Sequence, residues 1–449
     1  MRQLSRFIII AAAATAVSCN GGEPTPAGKP APAAKPRPAP NAEPAQQAPP
    51  KDPVPPPPEA KVDPPAEPES KPDPPPPPKK AKGRLERIDG YLVLHVSGTP
   101  EEMGEQHGRL LRAQIQKACK ALIREGYPGD WHKRLIAGTQ GMEKHQPDEF
   151  RRELKALAKA AGIDYWDCVA MQLFGDVDRG QFYRWGDDDE DDKDAPEIKC
   201  TSFAVLGKAT KTGELIAGRN LDFYDAGIGK YGAILMHARP DKGHAFLTVT
   251  WCGIINGWTL MNEKGIVTSN NTAYGNESLQ GISTCFMLRK VAQYAATVRE
   301  GIAIVRKGPR ACGTNMLIAG GKPPAAVMVE FDHKGVAVRQ AKNGYVIAAN
   351  SFLSLNNPGA RFEYDGFLSR YGTLEKLIKK HYGKIDRTMN FAGAEGVPMF
   401  CNLHSALLFP RDLTIRVSMG LTPAYKQRYR GFRMTPDGIV AEAKTPPGK

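Results

Sequence analysis

Three regimes of hydrophobic patterning divide the chain. Residues 7–17 are an apolar run behind a basic start at Arg2 and Arg6, residues 20–82 show no apolar period, and from about residue 83 apolar positions recur regularly. Between 83 and 199 the period is mostly helical. Residues 92–96 read as a short strand. Thr99-Pro100-Glu101-Glu102 then forms a capping box with proline at the first helical position, and Met103, Leu110, Leu111, Ile115, Cys119 and Leu122 follow at the spacing of one helix face. Further helices are expected over 147–161, with Phe150, Leu154, Leu157 and Ala158 on one face, and near 165–174. After Cys200 the pattern changes. Short apolar runs divided by turn residues predict strands at 202–206, 215–218, 233–238, 245–251, 258–261 and 266–269, then at 316–319, 326–330, 336–340 and 345–349. A helical stretch at 284–305 interrupts them, another carries Leu374, Leu377 and Ile378, and 406–409 with 413–417 make a closing hairpin. Runs of strands with helices segregated between them predict a layered α+β fold rather than alternating βαβ units.

The first two regimes lie outside that fold. The apolar run is shorter than the roughly 20 residues of a membrane span and suits a secretory signal. It ends in Ala16-Val17-Ser18-Cys19, which resembles a bacterial lipoprotein box with Cys19 as the lipidated residue. The stretch 20–82 holds 24 of the 39 prolines and no aromatic residue. Such a composition cannot bury enough apolar surface to offset its ordering entropy, and its proline runs favour extended polyproline helix. The expected organisation is a lipoprotein-type signal peptide over 1–18, a disordered Pro-rich tether over 19–82 and one folded domain over 83–449. The protein is then exported and lipid-anchored to the bacterial cell envelope, with the membrane as a partner through Cys19.

Charge and metal-binding residue types narrow the function classes. The formal charge of +13 would suit nucleic acid, but several lysines sit in the tether and the rest are scattered. No zinc-finger, helix-turn-helix or aromatic-basic motif accompanies them, so no nucleic-acid partner is expected. The acidic run over 187–194 lacks the glycine turn and terminal glutamate of an EF-hand and reads as a solvated loop. The eight cysteines contain no Cys-x-x-Cys pair and the nine histidines no metal-ligand spacing, so neither a metal nor another cofactor is called for. Cys119, Cys168, Cys252, Cys285, Cys312 and Cys401 sit mostly in apolar surroundings and read as buried free thiols.

Cys200 stands apart. It opens the strand pattern Lys199-Cys200-Thr201-Ser202-Phe203-Ala204-Val205 directly after the acidic loop. A chain cut before a cysteine gains a nucleophile carrying its own base, because a free α-amino group has an ordinary pKa near ~8. A guanidinium close to such a thiol favours thiolate, and a carboxylate orients the ammonium. Arg219 and Asp222 offer both charges on the short segment Gly218-Arg219-Asn220-Leu221-Asp222-Phe223.

Four stretches in this order carry a resemblance to a known family. They are Gly98-Thr99-Pro100-Glu101-Glu102-Met103-Gly104-Glu105-Gln106-His107-Gly108, Cys200 to Val205 with Arg219-Asn220-Leu221-Asp222, Met261-Asn262-Glu263-Lys264-Gly265, and Ser369-Arg370-Tyr371. From about Leu94 to Met434 the chain resembles the isopenicillin N acyltransferase-like group of autoproteolytic N-terminal nucleophile hydrolases. That resemblance implies a four-layer αββα sandwich and self-cleavage between Lys199 and Cys200. The products would be an α-chain part (83–199) and a β-chain part (200–449). It also implies roles: Arg219 and Asp222 for the thiol and the amine, Arg370 with its neighbour Ser369 for holding the site, and Asn350 as a donor to the tetrahedral oxyanion. The second donor falls on Asn270 or Asn271, with Asn271 favoured. One departure is Lys199, where the fungal enzyme has a small glycine. The substrate class implied is a small-molecule amide or ester. The alternatives are a conventional cysteine protease pairing Cys200 with His107 or His404, and an inactive binding lipoprotein that keeps the fold.

Overall fold

In the computed structural model, which describes residues 83–182, 199–223, 232–355 and 364–443, the strands form two sheets. The first holds, in spatial order, β1 (Arg84–Ile88), β2 (Tyr91–Gly98), β5 (Ala233–Pro240), β6 (Phe246–Trp251), β7 (Thr259–Asn262), β8 (Ile266–Thr272), β9 (Thr314–Gly321), β10 (Pro324–Phe331) and β11 (Val336–Gln340). The second holds β12 (Tyr345–Ala348), β3 (Lys199–Gly207), β4 (Gly213–Asp222), β13 (Asn402–Phe409), β14 (Thr414–Met419), β15 (Arg430–Thr435) and β16 (Gly438–Ala441). Neighbours are antiparallel except β2 and β5, which run parallel. The expected signal peptide, tether and acidic loop fall outside the described residues, and no described helix is long and apolar enough to cross a membrane.

Strand alternation builds three cores from these two sheets. Val93, Leu235, Leu247, Met261 and Val267 of the first sheet meet Ala217, Ala406, Leu408 and Val417 of the second in a buried inter-sheet layer. The alternate residues of the first sheet, among them Leu94, Met236, Phe246 and Leu260, pack outward against helices. Those helices are α1 (Pro100–Leu110), α2 (Arg112–Cys119), α3 (Asp130–Glu143), α4 (Asp148–Ala161), α5 (Tyr165–Phe182), α6 (Thr284–Tyr294) and α7 (Val298–Lys307). On the far side Phe203, Ile216 and Leu407 pack against Leu374 and Ile378 of α8 (Tyr364–Lys380). The order is therefore helices, sheet, sheet, helix: the αββα sandwich. Burial of both faces of each sheet explains why the strands read as unbroken apolar runs and not as alternating ones.

Several boundaries moved. The first helix stops at Leu110 and is followed by α2 and a π-helical turn (Lys120–Glu125), although its capping box at Thr99 forms as expected. The stretch 284–305 is two helices, broken where Thr297 caps α7 through the Glu300 amide. The hairpin at 406–417 does not close the fold, since β15 and β16 extend the second sheet beyond it. Helix α3 and strand β1 carry too few apolar residues to stand out in the sequence. Glycines explain one packing detail. A Cβ on Gly104 would lie 2.1 Å from the Glu153 carbonyl oxygen, and one on Gly108 2.5 Å from that of Leu157. Glycine four residues apart thus lets α1 lie backbone against backbone on α4.

Candidate active site

Alternation along β3 and β4 sorts the expected site residues onto two faces. Cys200 pairs with Leu221 and Ser202 with Arg219, so these side chains share the face turned to the first sheet, where Ser202 Oγ lies 3.0 Å from Ser269 Oγ. Thr201 pairs with Asn220, and Lys199 with Asp222, on the other register. The Asp222 carboxyl thus lies on the α8 side of the sheet, on the face opposite the Cys200 side chain. An odd separation between Arg219 and Asp222 is what puts one charge on the cavity side with the thiol and the other on the opposite face.

The Cys200 side chain is buried and lines a cavity of ≈ 60 Å³ together with Arg219. Phe174, Phe223, Trp251 and Trp258 give it aromatic walls, the two tryptophan rings meeting edge to face at 5.0 Å. Arg219 is 1% exposed and donates through Nη1 to the Asn220 carbonyl, while its Nε and Nη2 have no partner among the described residues. A buried guanidinium with an unused edge is costly, and this one faces the space beside a thiol. Asp176, at the cavity wall, accepts from the Thr284 amide at 2.6 Å and its hydroxyl at 3.2 Å, which ties α5 to the start of α6.

The Cys200 backbone is gripped from both ends. Its N–H donates to Asn350 Oδ1 at 2.7 Å, and its carbonyl accepts from Arg370 Nη1 at 2.6 Å. Arg370 Nη2 also reaches Asn350 Oδ1 at 3.1 Å, and Asn350 Nδ2 donates to the Thr272 carbonyl at 2.8 Å. Two donors on one side of the amide and an acceptor on the other settle its orientation. Asn350 thus presents its oxygen to Cys200, and one of its two amide hydrogens is committed to Thr272. The Ser369 side chain, like that of Lys199, lies outside the described residues, and Cys19 lies in the undescribed N-terminal stretch.

Asp222 is fully buried, which pushes its carboxyl up to about 6. The Asn402 amide, donating at 2.7 Å, Arg370, the Met399 amide and Arg219 oppose that rise. Its Oδ2 has no partner among the described residues. The fold therefore binds this proton more tightly than the unfolded chain does. That contribution to stability is present below the ordinary carboxylate pKa of 3.8 and is lost as pH rises through about 6. The cost of keeping the group ionised is about 3 kcal/mol. In a Cys200→Ala chain, adding Asp222→Asn should raise the thermal midpoint by several degrees at pH 7.5, with the gain vanishing near pH 4; calorimetry at both values checks it.

The structure separates the two asparagines of the pair. Asn270 and Asn271 are consecutive on β8, so their side chains point to opposite faces. Asn270 lines the cavity with Cys200, whereas Asn271 turns into the gap between the sheets and donates to the Ala348 carbonyl at 3.2 Å. Of the two, the expected donor Asn271 is therefore hydrogen-bonded between the sheets, and Asn270 is the one that lines the cavity. The histidines are engaged elsewhere. His107 Nε2 accepts from the Gly253 amide at 3.0 Å, and burial pushes its pKa down to about 3. His404 Nε2 lies 2.8 Å from Thr259 Oγ1, and burial with Arg219 nearby holds it well below the usual imidazole range. Cys119, Cys168, Cys200, Cys252, Cys285 and Cys312 are buried free thiols, and among the described residues no three His, Cys, Asp or Glu side chains gather where they could hold a metal ion. Sequence reasoning missed Asp176 and Asn402, since neither stands in a motif.

Comparison with known proteins bears on this arrangement. Residues 208–408 match the family described as acyl-coenzyme A:6-aminopenicillanic acid acyl-transferase. The family expected from the motifs is the family matched. The matched stretch takes in Arg219, Asp222, Asn270, Asn350 and Arg370, and it begins after Cys200. A protein of Archaeoglobus fulgidus is 25% identical over 337 residues, covering 66% of this chain and 56% of its own length. Protein dcd1B of Dictyostelium discoideum is 22% identical over 274 residues, 55% of this chain and 51% of its own. The chain thus spans little more than half the length of these relatives. Among solved structures, an N-acylethanolamine-hydrolyzing acid amidase ortholog of Caenorhabditis elegans aligns with 18% identity and a TM-score of 0.38, covering 51% of this chain and 98% of that one. A variant of the conjugated bile acid hydrolase of Clostridium perfringens aligns with 14% identity and a TM-score of 0.40, covering 56% and 99%. The layered architecture rests on this chain's own sheets and cores.

Proposed function

We propose that this chain is a self-processing cysteine amidohydrolase that cleaves a small N-acyl amide. The observation that carries the reading is the split environment of Cys200: its sulfur lines a cavity with Arg219, while its peptide is held by Asn350 and Arg370 on the strand pair that also carries Asp222, whose Oδ2 has no partner among the described residues. In the processing step the thiol adds to the Lys199 carbonyl carbon and the Lys199–Cys200 C–N bond breaks. The thiol proton ends on the departing nitrogen, and the thioester left behind takes up water to give a carboxylate at Lys199 and a free thiol. The new α-amine, held by Asp222 and Asn350, then draws the proton from the thiol as it attacks the substrate carbonyl. Arg219 favours thiolate, and Asn270 supplies a donor to the oxyanion. The aromatic walls suit an apolar acyl group, and water resolves the acyl-enzyme.

N-terminal sequencing of purified, active protein tests this directly. A fragment beginning Cys-Thr-Ser-Phe is expected, and its absence from fully active material would overturn the reading. The protease alternative needs an imidazole at the thiol, and both candidate histidines are bonded elsewhere. His107→Gln and His404→Gln should therefore keep self-processing, and gel electrophoresis of the soluble protein reads this. Export and lipid anchoring at Cys19 belong to the same proposal, and Cys19→Ser should release the protein from the membrane fraction.

A further inference from the structure

Strand β13 enters the second sheet through a bulge. Its register against β4 shifts between Asn402 and His404, so that Asn402 faces Asp222 and His404 faces the adjacent Leu221. A bulge re-aims side chains that regular alternation would place together. Here it sends Leu403 to the cavity wall, His404 toward Thr259 and Asn402 to the Asp222 carboxyl. Asn402 is fully buried. Its Nδ2 donates to Asp222 Oδ1 at 2.7 Å and lies 3.0 Å from the His404 carbonyl, while its Oδ1 accepts from the Tyr425 amide at 2.9 Å. The Tyr425 contact fixes which end of the amide meets Asp222 and anchors it to the loop after β14.

We propose that Asn402 is the positioning residue of this site: it pins one oxygen of Asp222, which fixes the orientation of the carboxyl, and its donated hydrogen bond favours the carboxylate form. This rests on the reading of Asp222 as partner of the Cys200 nitrogen, which takes up the thiol proton as the peptide bond breaks and is the free amine afterwards. The charged and titratable groups acting on Asp222 among the described residues are Arg370 from α8, Arg219 on its own strand and Tyr429 from the segment before β15. Asn402 is the neutral side chain that donates to the carboxyl, beside the Met399 backbone amide.

The test uses the full chain made by cell-free synthesis, with the rate of self-cleavage followed by gel across pH 4–8. Asn402→Leu should move the acid limb of that rate upward by about one pH unit, the shift expected for losing one hydrogen bond to a carboxylate. Asn402→Asp, which sets a second carboxyl beside the first, should move it further. Neither change should shift the limb in an Asp222→Asn background. A soluble Asn402→Leu chain with the original limb overturns the inference; if that variant does not fold, an unmoved limb in Asn402→Asp does so. Should Asp222→Asn itself cleave with the unaltered profile, the underlying role of Asp222 fails as well, so the two failures are separable.

Discussion

Replacing Cys200 by alanine is expected to leave a single uncut chain and to lower turnover on the order of 10⁴-fold or more. The size of the loss follows from removing the atom that forms both covalent bonds, since residues acting as one catalytic unit fail together when the nucleophile goes. The fold itself should tolerate the change. Cys200 is held by its backbone, through Asn350 and Arg370, and neither hydrogen bond involves the sulfur. Intact mass separates processed from unprocessed protein, and calorimetry shows whether the alanine chain is folded. Activity and cleavage that both survive in Cys200→Ala would sink the proposed mechanism. Cys200→Ser is the informative companion, because a hydroxyl has the geometry of the thiol without its acidity. It should cut slowly and turn over more slowly still.

Asn270→Ala should cost ~100-fold or more in kcat with a small effect on stability, the usual penalty for one lost oxyanion donor. Asn271→Ala should do the reverse. Its Nδ2 bridges to the Ala348 carbonyl of β12 inside the packed inter-sheet layer, so its removal leaves that carbonyl short of a partner in a buried place. A lower unfolding midpoint with nearly normal kcat is the expected signature. Paired kinetics and thermal scans on the two variants decide between the neighbours. Equal losses of kcat in both would count against Asn270 as the donor.

Much of this site was legible in the residues because it lies on regular strands. Period-two alternation puts Arg219 and Asp222 on opposite faces of β4, and a thiol and an amine that need different charges are served by that odd spacing. The same rule would have separated Asn270 from Asn271, but only with the first sheet's register known, and register depends on partners far away in the sequence. Thus the pairing of Asn271 with Asn315 could not be read from residues 266–272 alone. Asn402 was hidden for a different reason. Bulges break periodicity, and the strand expected over 406–409 begins at Asn402, with the interruption among its first residues. Helix α3 was missed because its apolar positions are few: Leu135 and Met142 carry its burial along with Gly138, Thr139 and Glu143.

The parallel seam between β2 and β5 has a consequence for handling the protein. Residues before Lys199 contribute β1 and β2 to one edge of a sheet whose other strands come from residues after Cys200. A chain severed between them would stay joined through six paired positions and the surrounding core, and its halves would travel together until denatured. Once apart, they would have to meet again in solution before the edge could re-form. Recovery from heat would then fall with dilution, and the processed protein would melt irreversibly where the alanine form renatures.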